Sequence, residues 1–326
     1  KKILFLTTVG FFKPFNGGSL YTKSIYEELL GCKPQALDVE IATKRILFFT
    51  NVFLKLLALS CSIFSRHPAT SIFYFLIFKL RNLKLKDYDI IVADHVETAL
   101  IAEGFGKNVL LIAHNIEHKL AEENIRNRFV RWLTQYEKKM KNFEEQVFKS
   151  SSEIWCISRL DLEYIKNINE NVVHKPPFFK KRRGPKRSFN NKVGFIGAGS
   201  WLPNLLAVDN LLAILESMGE KRKLVIAGSG WPARITNCQI VEYLGFVENS
   251  SDFYKKIDLL IVPFEMKTGA NIKIYEAISE KIPVVTYPSN ALAIFANRKI
   301  AANNGIIVAE FWGDFKTIIS QFEGRT

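Results

Sequence analysis

One pattern occurs twice along the chain: a short apolar strand, a loop carrying glycines, then a helix with apolar residues three and four apart. It opens at residues 3–9, with Gly17-Gly18 in the loop and helical spacing over 19–30. It restarts at 193–196, with Gly197 and Gly199 in the loop and helical spacing over 205–218. A strand that returns through a helix must pair in parallel with its successor, because only a crossover of this length brings the chain back to the same end of the sheet. Further strand-like runs at 37–43, 89–93, 109–113 and 153–158 follow the first unit, and 224–227, 240–243, 259–262 and 284–286 follow the second. Between them, 174–192 is rich in proline and basic residues and shows no periodicity, which marks a linker. The expectation is an α/β chain with an N-terminal Rossmann-like domain over 1–175, a linker over 176–192 and a second such domain over 193–326. Open parallel sheets bind ligands outside the carboxyl ends of their strands, so the two domains are expected to face each other across a cleft.

At 326 residues the chain is long enough for two cores. Its four cysteines, Cys32, Cys61, Cys156 and Cys238, lie far apart without a C-x-x-C pair, which argues against a zinc site or a disulfide framework and for reduced thiols in the cytoplasm. Lys1-Lys2 runs directly into an apolar strand, so no signal peptide is expected. The net charge of +13 is uneven: residues 1–186 hold 30 Lys/Arg against 19 Asp/Glu, and 187–326 hold 15 against 13. A basic surface seeks polyanions. Here the basic residues flank apolar helices rather than base-stacking aromatics, which points to an anionic membrane surface and away from nucleic acid.

The apolar runs are 46–64, interrupted by Lys55, and 71–80, rich in phenylalanine. Asn51, Lys55, Ser62 and Ser65 fall on one helical face of the first, a pattern that suits lying on a surface better than spanning a bilayer. Lys44, Arg45, Arg66, Lys79, Arg81, Lys84 and Lys86 flank the runs. Both helices can equally be core packing of the first domain. The stretch 118–150 reads as one or two amphipathic helices, with Phe129, Trp132, Leu133, Tyr136, Met140, Phe143 and Val147 along the apolar stripe.

The segment PFEMKTGANIKIYEA over 263–277 is a strand end, a small-residue turn and a helix start. Free backbone N–H groups, the helix dipole and Lys273 one turn in can hold a diphosphate there, and Glu276 can accept hydrogen bonds from ribose hydroxyls. An ordinary helix cap would look similar. Asp87-Tyr88-Asp89 has the form of a D-x-D metal motif but precedes Ile90-Ile91-Val92 and so begins a strand, where a metal–nucleotide site is not expected. The H-N-I-E-H run sets His114 and His118 four apart but follows a strand and lacks the H-E start of a zinc helix.

This segment, with its continuation ISEKIPVV over 278–285, resembles the donor-site signature of the large retaining GT-B glycosyltransferase family. The resemblance implies that Glu276 holds the ribose and that Thr268, Gly269, Ala270 and Asn271 hold the diphosphate. Thr268 stands where many members carry a glutamate, and Lys281 where they carry a glycine. VGFIGAGSWLPN over 193–204 resembles the opening strand and phosphate-side loop, which implies donor binding at Gly199, with Ser200 and Asn204 as polar supports and Lys273 as the nearest neutralising charge. LVIAGSG over 224–230 and LGFVENSSD over 244–252 resemble the next landmarks, the latter implying nucleobase contact near Phe246 and Val247. In the first half Gly17-Gly18 resembles the family's glycine pair at the donor phosphate. AHNIEH over 113–118 is similar to a strand-ending histidine that contacts the transferred sugar, which makes His114 and Lys273 the expected catalytic residues. His118 and Asp94-His95 are secondary candidates.

What the resemblance implies is transfer, with retention and without a metal or other cofactor, from a nucleotide diphosphate sugar to a glycan or lipid-linked saccharide in surface polysaccharide synthesis. The enzyme would sit in the cytoplasm, against the inner face of the membrane. A sugar-nucleotide epimerase of the same shape and an inactive nucleotide-sugar-binding protein are the alternatives.

Overall fold

In a computed structural model the described residues are 2–8, 10, 16–32, 38–42, 48–80, 83–102, 108–125, 127–179, 191–219 and 222–322. The chain divides into two compact units, one comprising Lys1–Pro177 with Lys267–Ala270, the other Phe178–Met266 with Asn271–Thr326. The middle of the proposed linker and the basic residues Lys44, Arg45 and Arg81 lie outside the described residues.

The first unit runs β1 (Lys2–Thr7), α1 (Gly17–Cys32), β2 (Asp38–Ala42), α2 (Phe48–Phe64), α3 (Ala69–Leu80), β3 (Ile90–Asp94), β4 (Asn108–Ala113), α4 (Ala121–Asn124), α5 (Arg128–Leu133), α6 (Tyr136–Ser150), β5 (Glu153–Cys156), α7 (Arg159–Lys166) and β6 (Val172–His174). Its six strands form one sheet in the order β2-β1-β3-β4-β5-β6, all pairs parallel. The central strands are apolar on both faces, Leu4, Phe5, Ile91, Val92, Leu111 and Ile112 being fully buried, as helices on both sides of a parallel sheet require. Asp87 and Asp89 precede β3, and Asp89 Oδ2 accepts the Lys2 backbone N–H at 2.8 Å at the amino ends of the strands. The D-x-D likeness is therefore a strand start.

The second unit runs β7 (Lys192–Ile196), α8 (Leu202–Ser217), β8 (Lys223–Ala227), α9 (Ala233–Thr236), β9 (Val241–Tyr243), α10 (Ser250–Tyr254), β10 (Leu259–Val262), α11 (Ile272–Ser279), β11 (Val284–Thr286), α12 (Pro288–Ile294), α13 (Arg298–Asn303), β12 (Ile306–Val308) and α14 (Trp312–Gln321). Its sheet, ordered β12-β11-β10-β7-β8-β9, is again wholly parallel. Two six-stranded parallel sheets wrapped by helices are the GT-B fold.

Two sequence expectations change. Leu54, Ala58 and Ser62 form the buried side of α2 against α3, with Ser62 Oγ donating to Leu59 O at 2.7 Å, while Phe53 (64 % exposed), Leu56 and Phe64 (93 % exposed) face water. The outward side of α2 is thus apolar, and Ser62 of the polar stripe is turned inward. The 118–150 stripe also divides: Tyr136, Met140, Phe143 and Val147 are buried along α6, but Gln135 takes φ +49° before it, and Phe129 and Trp132 on α5 are exposed. No helix among the described residues is long and apolar enough to cross a membrane.

Candidate active site

Strands β3 and β4 lie side by side in parallel register, so their carboxyl ends bring Asp94 and the following His114 together. Asp94 is fully buried. Its carboxylate accepts hydrogen bonds from His114 Nε2 at 2.6 Å, from Thr7 Oγ1 at the end of β1 at 2.6 Å and from Thr22 Oγ1 on α1 at 2.9 Å. Burial alone would raise the pKa of Asp94, but the two adjacent histidines overcome it and hold the carboxyl well below the usual carboxylate range. His95 Nδ1 lies 3.5 Å from the same carboxylate, and its ring stacks on that of His114 at 3.7 Å and 14°. Burial would lower the His95 pKa, yet Asp94 raises it to about 9, whereas burial and the neighbouring His95 charge push His114 down. Potential ligand atoms of Asp94, His95 and His114 lie within 4.8 Å of one another. An imidazole binds an ion in its own ring plane, however, and two nearly parallel rings stacked face to face do not share one. The geometry is that of a hydrogen-bonded cluster.

His118 is placed differently. Its Nδ1 pairs with Glu144 Oε2 at 2.7 Å, and Glu144, fully buried on α6, also accepts the backbone N–H of Glu117 at 2.6 Å. His118 thus anchors a turn. Gly17 and Gly18 open α1, where Asn16 Oδ1 caps Ser19 N at 2.9 Å; a Cβ on Gly18 would make ordinary contact with Asn16 at 3.6 Å.

The turn between β10 and α11 is held by a carboxylate that the sequence did not single out. Asp161, buried on α7, accepts from Thr268 Oγ1 at 2.7 Å and from Gly269 N at 2.6 Å, and Thr268 Oγ1 in turn accepts the Ile116 N–H at 2.7 Å. Gly269 takes φ +77°, and a Cβ there would run into the Asn115 side chain, so only glycine fits. Thr268 is buried and Ala270 half-buried. The Thr268 hydroxyl and Gly269 N–H assigned to a diphosphate are engaged by Asp161 and Ile116 here.

In the second unit α11 gathers the remaining expected residues. Glu276 is buried and accepts from Ser250 Oγ at 2.6 Å, with burial raising its pKa. Ser250 starts α10, three residues after Val247 and four after the exposed Phe246, so the 244–252 loop is tied to Glu276. Burial lowers the half-buried Lys273 to about 7; its ammonium lies 4.5 Å from the centre of the Phe195 ring and 5.1 Å from that of Phe264. Among the described residues it has no salt-bridge partner. Asn271, the cap of α11, makes no side-chain bond to the helix start and instead donates to Asn290 Oδ1 at 3.1 Å, leaving the first-turn N–H groups without a side-chain cap. From the first turn of α8, Asn204 Nδ2 donates to Ala198 O in the β7–α8 loop at 2.9 Å, and Ser200 in that loop is exposed. A Cβ on Gly199 would meet Trp231 and Gly230 O at 2.6–2.7 Å, so this glycine lets two loops pack together.

Residues 190–320 match the family described as "Glycosyl transferases group 1". The chain is a glycosyltransferase. Several solved structures share its fold. HepE of Anabaena in complex with UDP-glucose is 14 % identical with a TM-score of 0.57, covering 98 % of this chain and 88 % of that one. WaaG, a glycosyltransferase involved in lipopolysaccharide biosynthesis, is 15 % identical with a TM-score of 0.63, covering 98 % and 90 %. A putative UDP-N-acetylglucosamine 2-epimerase from Listeria monocytogenes is 8 % identical with a TM-score of 0.54, covering 99 % and 88 %. No curated protein matches the sequence. In this glycosyltransferase the group 1 match covers the whole second-unit site, from Gly199 through Glu276.

Proposed function

We propose that this glycosyltransferase moves a sugar from a nucleotide diphosphate sugar to a glycan or lipid-linked saccharide acceptor of a surface polysaccharide, retaining the anomeric configuration and using no metal. The observation that carries the reading is Lys273: a half-buried ammonium at the start of α11, without a salt-bridge partner among the described residues and three residues before a buried Glu276. A diphosphate supplies the missing counter-charge, the uncapped helix start adds N–H donors, and Glu276 is placed for ribose hydroxyls. In the reaction, negative charge grows on the departing diphosphate, and a fixed ammonium and helix dipole stabilise it without a cation. That HepE is described with UDP-glucose supports a uridine donor as the first to test. Titration calorimetry of the parent and of Lys273→Ala with UDP, GDP, ADP and dTDP tests the donor site; no binding by the parent contradicts it.

We further propose peripheral attachment to an anionic membrane, supported by the outward apolar side of α2, Phe53, Leu56 and Phe64, beside the exposed Lys55 and Arg66. A surface-held enzyme meets a lipid-linked acceptor in two dimensions.

A further inference from the structure

We propose that Asp94 is a positioning residue: its carboxylate holds His114 in the tautomer protonated at Nε2, leaving Nδ1 as a hydrogen-bond acceptor for a ligand hydroxyl, with the His95 ring stacked on its face. The inference deepens the proposed function, on which the role of His114 toward a sugar rests. Asp94 receives donors from three other elements: the Thr7 and Thr22 hydroxyls both point at Oδ2, at 2.6 and 2.9 Å, and His114 Nε2 points at Oδ1, at 2.6 Å. An ionised carboxylate only accepts hydrogen bonds, so Nε2 carries the proton. A neutral imidazole protonated there has its lone pair on Nδ1, which has no hydrogen-bond partner among the described residues. Tyr21 packs edge-on at 4.9 Å and helps fix the ring plane.

His95 completes the arrangement. It holds φ +80°, a conformation that costs a non-glycine residue free energy and persists where the surroundings impose it. In that conformation its ring lies 3.7 Å from that of His114, with Nδ1 toward Asp94 and within 3.3 Å of Thr8 Oγ1. The titratable groups that face the pair are Asp94, Glu97 and Glu117, all buried, and burial raises the pKa of Glu97 to about 8. Asp94 favours the proton on His95, and the resulting charge disfavours a second proton on His114. One imidazolium and one neutral imidazole then share a carboxylate.

Nitrogen-15 histidine NMR of the whole chain at pH 7–8 tests this. His114 is expected to show a protonated Nε2 and an unprotonated Nδ1, and His95 two protonated nitrogens. In Asp94→Asn the oxygen stays with Thr7 and Thr22, so the amide NH₂ faces Nε2 and forces it to accept; the His114 tautomer inverts to Nδ1–H, as a purely structural role would not require. Consumption of the nucleotide sugar that binds the parent is expected to fall about tenfold to a hundredfold with nucleoside diphosphate affinity unchanged. An Nδ1-protonated or doubly protonated His114 in the parent overturns the inference, as does a tautomer unaltered in a folded Asp94→Asn. If Asp94→Asn does not fold, the parent spectrum decides alone. Failure of UDP, GDP, ADP and dTDP to bind the parent defeats the donor reading instead and leaves the tautomer measurement valid.

Discussion

The buried Glu276 carboxylate on α11 accepts a hydrogen bond from Ser250 Oγ, at the start of α10, at 2.6 Å. The bond ties the loop expected at the nucleobase to the residue expected at the ribose. Glu276→Ala is expected to weaken nucleoside diphosphate binding by about 1.5–3 kcal/mol, the range for a charged hydrogen bond, and Ser250→Ala by less, since it loosens the carboxylate without removing it. Calorimetry on the folded variants checks this order; a stronger effect at Ser250 reverses it.

Lys273 gives a pH signature. Burial holds its pKa near 7, so above that pH the free protein is increasingly neutral there, and a bound diphosphate restores the charge. Nucleotide binding is therefore expected to take up protons at pH 8 and to weaken as pH rises from 7 to 9. Calorimetry in buffers of different ionisation enthalpy measures the uptake, and Lys273→Met is expected to abolish it. For stability the sign is opposite to that of a stabilised ammonium: the lowered folded pKa makes the Lys273 contribution least favourable below about 7 and removes the penalty as pH rises toward the unfolded value of about 10.4.

The Asp161 carboxylate holds the 267–270 turn through Thr268 and Gly269. Asp161→Ala leaves a buried N–H and a hydroxyl short of an acceptor, at a cost of about 1–3 kcal/mol each. Hydrogen exchange is expected to rise at Gly269 while the β1, β3 and β4 amides stay protected. Uniform loss of protection across the sheet contradicts a local role.

On α2, Phe53→Glu and Phe64→Glu change exposed side chains and are expected to leave the melting temperature nearly unaltered while reducing sedimentation with anionic vesicles. Ala58→Glu places a charge in the core and is expected to unfold the unit. Sedimentation of the parent equal with anionic and neutral vesicles at low salt defeats the membrane proposal.

Much of this fold was legible because strand, loop and helix repeat with clear periods, and the strands found at β1, β3, β4, β7, β8 and β10 fall within a residue or two of their expected ranges. Strands β6 and β12, three residues long at sheet edges, were not singled out in the sequence, and β6 ends where the aperiodic segment 174–192 begins. The polar stripe read along α2 divides for a physical reason: Lys55 stays exposed, whereas Ser62 satisfies its hydroxyl within its own helix and turns inward. Glu276 and Lys273 were visible in a local motif, but Asp161 lies 107 residues from its partner Thr268, and Asp94 lies 87 and 72 residues from Thr7 and Thr22. Such networks have no local signature.

The central claim is sugar transfer, and the most direct measurement is product analysis by mass spectrometry. The purified chain, in EDTA, is incubated with UDP-, GDP-, ADP- and dTDP-linked sugars together with a bacterial lipid-linked saccharide fraction. One donor is expected to release its nucleoside diphosphate and yield an acceptor heavier by one sugar, a product formed more slowly with Glu276→Ala at the same donor concentration. Epimerised donor with no nucleotide released, or tight nucleotide binding with no donor consumed, contradicts the account; turnover that appears only on replacing EDTA with Mn²⁺ or Mg²⁺ contradicts its metal-free chemistry.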